Sequence, residues 1–190
     1  MELMKAIRSR RSIGKVKPDA VDHELIEQII EAGIWAPNHH LTEPWRFIVM
    51  TGEGRRRLGN AYAEIAAESI DLALSGVELS QQYDKHVAKA YRAPVVITVA
   101  VSPSSDSRVP LIEEIASVHA AIQNMLLTAH SLGLGAIWRT GAPTYHPTMH
   151  KAFDLRATEQ VSGFIYIGYP DMMTPAVNRT NFREKTVWLT

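Results

Sequence analysis

Ala93-Pro94-Val95-Val96-Ile97-Thr98-Val99-Ala100-Val101 is an almost unbroken run of β-branched and small apolar residues. Successive side chains of a strand point to opposite faces, so a strand without polar alternation has to be covered on both. The run predicts a central strand with a layer packed on each side. Downstream, Ile115, Val118, Ala121, Ile122, Met125, Leu126 and Ala129 recur at helical spacing over residues 110–132 and predict a long, deeply buried helix. Gly133-Leu134-Gly135 ends it. Ala136-Ile137-Trp138-Arg139 then predicts an inner strand, residues 147–153 a short helix, and residues 161–169 a further strand closed by Pro170.

Upstream, Arg46-Phe47-Ile48-Val49-Met50 reads as a strand, and Gly52-Glu53-Gly54 turns the chain into a helical stretch over residues 55–74. Residues 75–92 are polar and predict a helix-and-loop excursion over the domain surface. Nearer the start, residues 2–10 form a short helix with Leu3, Met4 and Ile7 on one face. A second helix begins at Asp22, an N-cap residue, carries Leu25, Ile26, Ile29, Ile30 and Ile34, and stops at Ala36-Pro37. Trp45 reads as a core anchor beside its strand.

At 190 residues the chain is expected to form a single domain, residues 1–190, able to bury a core without staples. Residues 174–190 form an irregular tail whose Val187-Trp188-Leu189 is too apolar to stand idle and predicts docking on a partner subunit. There is no cysteine, which excludes disulfides, thiolate metal sites and cysteine nucleophiles. Lys+Arg and Asp+Glu both number 20, so no global field holds the chain on nucleic acid or an anionic membrane. With no signal-type apolar segment and no membrane-length run, a cytoplasmic location is expected.

Three groups of residues carry chemistry. Arg10-Arg11-Ser12 offers forked guanidinium donors and a hydroxyl matched to phosphate oxygens, and it suits a solvated basic helix end equally well. Trp35-Ala36-Pro37-Asn38-His39-His40 precedes Glu43-Pro44-Trp45-Arg46-Phe47, so aromatic and imidazole groups sit on a loop stiffened by two prolines. Trp138-Arg139-Thr140-Gly141 ends a strand with a cation, which needs a ligand or a carboxylate such as Glu113 or Glu114. Other motifs are weaker. Gly52-x-Gly54 lacks the third glycine of a dinucleotide loop, His146 and His150 lack a metalloprotease glutamate between them, and Arg55-Arg56-Arg57 reads as a solvated helix face.

Taken in order, these segments resemble the nitroreductase family of FMN-dependent flavoproteins over nearly the full length. The likeness rests on Arg10-Arg11-Ser12, the Ala36-Pro37 loop, Glu43-Pro44-Trp45-Arg46-Phe47, Arg92-Ala93-Pro94, Ser131-Leu132-Gly133-Leu134-Gly135 and Gly163-Phe164-Ile165-Tyr166-Ile167-Gly168-Tyr169-Pro170. Trp138-Arg139-Thr140-Gly141 resembles the short, minimal branch. The chain departs from the family at Gly14, where many members are basic, and at Leu41-Thr42-Glu43, where many have an asparagine ahead of Gln-Pro-Trp.

The resemblance implies an α+β fold, with a mixed, mainly antiparallel sheet flanked by helices and a C-terminal tail exchanged in a homodimer. It implies FMN at the subunit interface, held by Arg10, Arg11, Ser12, Trp138, Arg139 and Thr140, with Trp35 and His39 supplied by the partner subunit and Arg183 reaching the phosphate from the tail. It further implies NADH or NADPH as reductant and a small electron-poor acceptor, such as a nitroaromatic or quinone, served in turn by one cleft. Two rival readings use the same cofactor: a flavin-binding protein for storage or sensing without turnover, and a dehalogenase or dehydrogenase.

Overall fold

The computed structural model describes residues 1–68 and 75–190. Its sheet has four strands, β1 (Trp45–Thr51), β2 (Val95–Val101), β3 (Gly135–Arg139) and β4 (Gln160–Gly168), in the order β1-β2-β4-β3. Every residue of β2 is buried, as its composition requires. Each neighbouring pair of strands is antiparallel, so the expected mixed character is confined to one isolated parallel bridge between Ser12 and Ala136. β3 is an edge strand of the four, not the inner strand that its apolar letters suggest.

Alternation along β2 sorts the core into two layers. Val95, Ile97, Val99 and Val101 face helices α2 (His23–Ile34) and α5 (Leu111–Ser131), where Ile26, Ile29, Val118, Ile122 and Met125 close the layer. Val96 faces the opposite layer, with Met50, Leu58, Ala61, Met149, Phe153 and Phe164. That layer is built on α3 (Arg56–Ala67) and α6 (Pro147–Ala152). Full burial of each such side chain contributes roughly 1.5–3 kcal/mol. Gly33 lets α2 approach α5, since a Cβ there would lie 3.1 Å from Met125 Cγ and 3.3 Å from Phe47 Cζ.

The polar stretch beyond α3 contains a regular helix, α4 (Gly76–Val87), followed by a 3-10 turn over Ala88–Tyr91. A capping box starts α4: Ser75 Oγ accepts from Glu78 N–H, and the Glu78 carboxylate accepts from Ser75 N–H at 2.9 Å. The expected helical stretch after Gly54 is regular as far as Ala67, and its remainder falls partly outside the described residues. Arg55 and Arg57 are not merely solvated. Arg55 donates to Ala93 O at 2.6 Å and lies over the Tyr91 ring, while Arg57 pairs with Asp154.

A buried carboxylate ties β1 to the turn ahead of β4. Glu159 accepts from Arg46 Nη1 and from Arg156 N–H, both at 2.7 Å. Burial alone would raise its pKa, but those donors and the Ser102 hydroxyl hold it below the usual carboxylate range.

Several apolar side chains find no cover in the chain. On α1 (Leu3–Ser9) only Ala6 is buried, so the face of Leu3, Met4 and Ile7 looks outward. Trp35 is 79% exposed, and in the tail Trp188 and Leu189 are 80% and 94% exposed. Trp45, by contrast, packs against the α2–α5 layer. Among the described residues, no helix is long and apolar enough to cross a membrane.

Candidate functional site

The outer side of β3 is where distant parts of the sequence meet. After α1 the chain runs beside it, with Ile13 N–H donating to Ala136 O at 3.0 Å and Ser12 bridging Ala136. This places Arg10, Arg11 and Ser12 at the start of β3, while Arg139 and Thr140 stand at its end. Side chains alternate along the strand. Trp138 turns to the α5 layer, its indole Nε1 donating to Ser162 O at 3.2 Å and its ring centroid 5.2 Å from that of His119. Ile137 packs with the opposite layer, and Arg139 turns the same way, over Tyr166.

On that second face a cleft of about 440 Å³ is lined by Lys89, Arg92, Arg139, Thr140, Tyr62 and Tyr166, among others, and, among the described residues, by no carboxylate. The Arg139 guanidinium lies 5.4 Å from the Tyr166 ring centroid, and its Nε is buried without a hydrogen-bond partner. Lys89 Nζ is 2.8 Å from His86 Nδ1. Burial and the like charges of Arg92 and Lys85 push the Lys89 pKa down. The phenols supply no counter-charge: burial, reinforced by Tyr166, raises Tyr62, and burial also raises Tyr166. An orphaned guanidinium N–H beside two further cations is electrostatically suited to an anion.

A second cationic cluster stands at the other end of the strand. Burial and the like charges of Arg11 and Arg179 lower the Arg10 pKa, which places a tail residue, Arg179, in the field of Arg10. His130, whose Nε2 is 2.8 Å from Ser9 Oγ, is likewise held down by burial and then by Arg10 and Arg11. Arg11 curls back so that Nη1 donates to Arg8 O and Arg10 O, each at 2.7 Å, which caps α1, and its Nε is buried without a partner. Among the described residues, none of Arg10, Arg11, Arg179, Lys89, Arg92 and Arg139 has an ion-pair partner.

Six of the eight residues expected to bind a cofactor, Arg10, Arg11, Ser12, Trp138, Arg139 and Thr140, therefore gather along β3. Trp35 and His39 do not line the cleft; both are exposed beyond α2. Arg183 lies over its neighbour Phe182, 5.8 Å from the ring centroid, and Arg179 is the tail cation that Arg10 senses. The alternative ion pair of Arg139 with Glu113 or Glu114 is not formed; Glu114 is buried and accepts from Ser104 N–H at 3.0 and 3.2 Å. His146 caps α6 and contacts Glu68 at 3.2 Å, and the described residues hold no cluster suited to a metal ion. Lys89 and Tyr62 carry no motif of their own, and Arg92 and Tyr166 enter the sequence reading only as letters of the family likeness, not as site residues. Their signal was modest: a Lys-x-x-Arg step just ahead of the central strand, and a tyrosine among the apolar letters of β4.

The nitroreductase family model matches residues 7–169. Escherichia coli (strain K12) YdjA is 34% identical over 174 residues, covering 90% of this chain and 90% of that protein. Bacillus subtilis (strain 168) YfhC is 33% identical over 180 residues, covering 94% and 90%. The names of both describe NAD(P)H nitroreductases. Among solved structures, a nitroreductase-like family protein from Bacillus cereus superposes with a TM-score of 0.84 at 26% identity, covering 100% of this chain and 96% of its own. A Desulfovibrio desulfuricans protein solved in complex with FMN gives 0.75 at 29% identity, covering 100% and 98%.

Proposed function

Because the chain belongs to the nitroreductase family, we propose that it binds FMN along the outer side of β3 and uses it to pass hydride from NADH or NADPH to a small electron-poor acceptor, such as a nitroaromatic or a quinone. The observation that carries this reading is the charge. Two groups of cations without carboxylate partners among the described residues, Arg10, Arg11 and Arg179 at one end and Lys89, Arg92 and Arg139 at the other, flank a single strand. FMN has anionic character at both ends, in its phosphate and in the pyrimidine edge of its reduced ring, so the donor set fits it.

When bound, FMN supplies the hydride chemistry. The chain's own residues bind and orient it. Arg10, Ser12 and Arg179 hold the phosphate end with charge-assisted donors, and Arg11 adds positive field while it caps α1. Residues 138–140 fix the ring edge from the sheet. Arg139, with Lys89 and Arg92 behind it, forms a preorganised cationic wall that favours negative charge on a bound ring. The uncovered apolar groups of α1, Trp35 and the tail suit a second copy of the chain, which would bring its Trp35 and His39 to the open side of the ring. Rapid anaerobic mixing of the FMN-loaded protein with NADH and with NADPH tests the reading. Bleaching of the oxidised flavin band, followed by its return on adding a nitroaromatic or quinone, is the expected result. A flavin band that survives both reductants would instead indicate a binding protein without turnover.

A further inference from the structure

We propose that Tyr166 and the bare backbone at Gly14 are positioning elements for Arg139. Together they hold its guanidinium as a fixed, uncompensated cation that makes the cleft prefer FMN in its reduced, negatively charged form over oxidised FMN. The inference rests on the reading of the cleft as an FMN site and deepens it by saying which residues set the site's redox preference.

A long side chain at the last residue of an edge strand would ordinarily wander in solvent, because arginine has ample rotamer freedom to lose. Arg139 instead folds back along β3. Its Cζ lies 5.4 Å from the ring centroid of Tyr166, a residue paired in the sheet with Ile137 and therefore one same-face step nearer the start of the strand. The guanidinium also lies close to the backbone ahead of β3: a Cβ added at Gly14 would stand 3.7 Å from Arg139 Nη2 and 4.0 Å from Ile137 Cδ1. A methyl group fits that distance; a branched four-carbon side chain competes for the space the guanidinium occupies.

The platform is itself fixed. Tyr166 is almost fully buried, and its hydroxyl is 3.4 Å from that of Tyr62, whose ring meets Phe164 edge-on with centroids 5.9 Å apart. The ring cannot turn away without breaking that packing.

A purely structural role does not account for this arrangement. Leucine or methionine would fill the same space with no charge to desolvate, whereas a half-buried guanidinium whose Nε is enclosed, with no carboxylate partner among the described residues, carries a desolvation cost in the ligand-free chain. Arg139 keeps its charge undischarged, with an Nε lacking any partner. That suits a site whose occupant gains negative charge during its working cycle.

The test compares the wild type with Tyr166→Phe, Tyr166→Leu, Gly14→Ala and Gly14→Leu. Two quantities are read: the dissociation constant of oxidised FMN and the two-electron midpoint potential of bound FMN, whose difference from that of free FMN gives the affinity ratio of the two redox forms. Losing the aromatic face should lower the preference for reduced FMN about 5- to 30-fold in Tyr166→Leu, the range a desolvated cation–π contact supports. Tyr166→Phe keeps the face and should retain the wild-type ratio. Gly14→Leu should lower the ratio like Tyr166→Leu, and Gly14→Ala should not. Circular dichroism of each FMN-free variant separates these effects from misfolding, and the surface change at Gly14 keeps the test decisive if Tyr166→Leu does not fold. An unchanged ratio in Gly14→Leu or in a folded Tyr166→Leu overturns the proposal. So does a Tyr166→Phe variant that loses the preference, since the phenol and not the ring face would then matter. A wild type that binds no FMN overturns the proposed function, and this inference with it; a wild type that binds FMN while the variants leave the ratio unmoved overturns this inference alone.

Discussion

Replacing Gly163 with alanine should destabilise the protein by about 5 kcal/mol, and the structure supplies each part of that figure. Gly163 sits in β4 opposite Val99, where the register with β2 shifts, and has φ +150°, a conformation that residues with a Cβ rarely adopt. Strain of this kind costs on the order of 1–3 kcal/mol. A Cβ there would stand 2.6 Å from Trp138 Cδ1, closer still to Nε1, and 3.0 Å from the Arg139 carbonyl oxygen. None of these is the loose end of a flexible side chain, so indole and backbone have to move. Displacing the indole sacrifices its hydrogen bond to Ser162 O, worth about 1 kcal/mol, and overpacking adds about 1–3 kcal/mol. For a chain of this size, a loss of that order corresponds to a melting temperature lower by roughly 10–20 °C. Thermal unfolding of FMN-free protein followed by circular dichroism measures it, with Gly54→Ala as control, because nothing lies within 4 Å of a Cβ at Gly54. A Gly163→Ala protein within about 1 kcal/mol of wild type would refute the reasoning that this close approach fixes Trp138 and the end of β3.

Other perturbations probe separate parts of the account. Glu159→Gln removes the charge from a buried carboxylate held by Arg46 and Arg156 and should cost about 3 kcal/mol in urea denaturation at neutral pH. Because the native pKa of Glu159 is lowered, its contribution is complete above the unfolded value near 4.5 and is lost as pH falls through the native value. The gap between wild type and Glu159→Gln should therefore narrow below about pH 4.5, and a gap constant from pH 7 to 3 would contradict the assignment. Combining Arg10→Ala with Ser12→Ala should weaken FMN binding at least about tenfold while leaving the fold nearly intact, from the loss of charge-assisted donors; equal FMN retention in equilibrium dialysis would count against this end of the site. If two copies of the chain pair through the tail as proposed, deleting the residues after Thr174 should lower the sedimentation-equilibrium mass to one chain and release FMN together. A truncated protein that stays dimeric and yellow would dismiss the tail's role.

Much of the fold was legible because burial writes itself into periodicity. The β2 run has no polar letter to turn outward, and α5 repeats apolar residues at helical spacing, so both elements and their central place could be read directly. The edge position of β3 was hidden for a physical reason. The segment around Ser12 and Ile13 lies along its outer side, so Gly135 and Ala136 are as buried as they would be in an inner strand. Helix α4 is harder to read although Ser75-x-x-Glu78 is a capping-box signature; its apolar stripe is thin, Leu79, Tyr83 and Val87 among polar letters, and none of its residues is buried. The site was half legible. Guanidinium-rich strand and helix ends stand out by charge, whereas Lys89 and Arg92 meet Arg139 only in a cleft that the fold creates. Trp35, the α1 face and the tail carry apolar residues that one chain leaves uncovered, and no periodicity tells which surface will cover them.

The most direct measurement is an equilibrium titration of FMN-stripped protein with FMN and, in parallel, with riboflavin, followed by flavin fluorescence. The account predicts saturation at one FMN per chain and much weaker binding of riboflavin, which offers nothing to Arg10, Ser12 and Arg179. Absence of FMN binding, or equal affinity for the two ligands, would contradict the claim that the cations flanking β3 form a flavin nucleotide site.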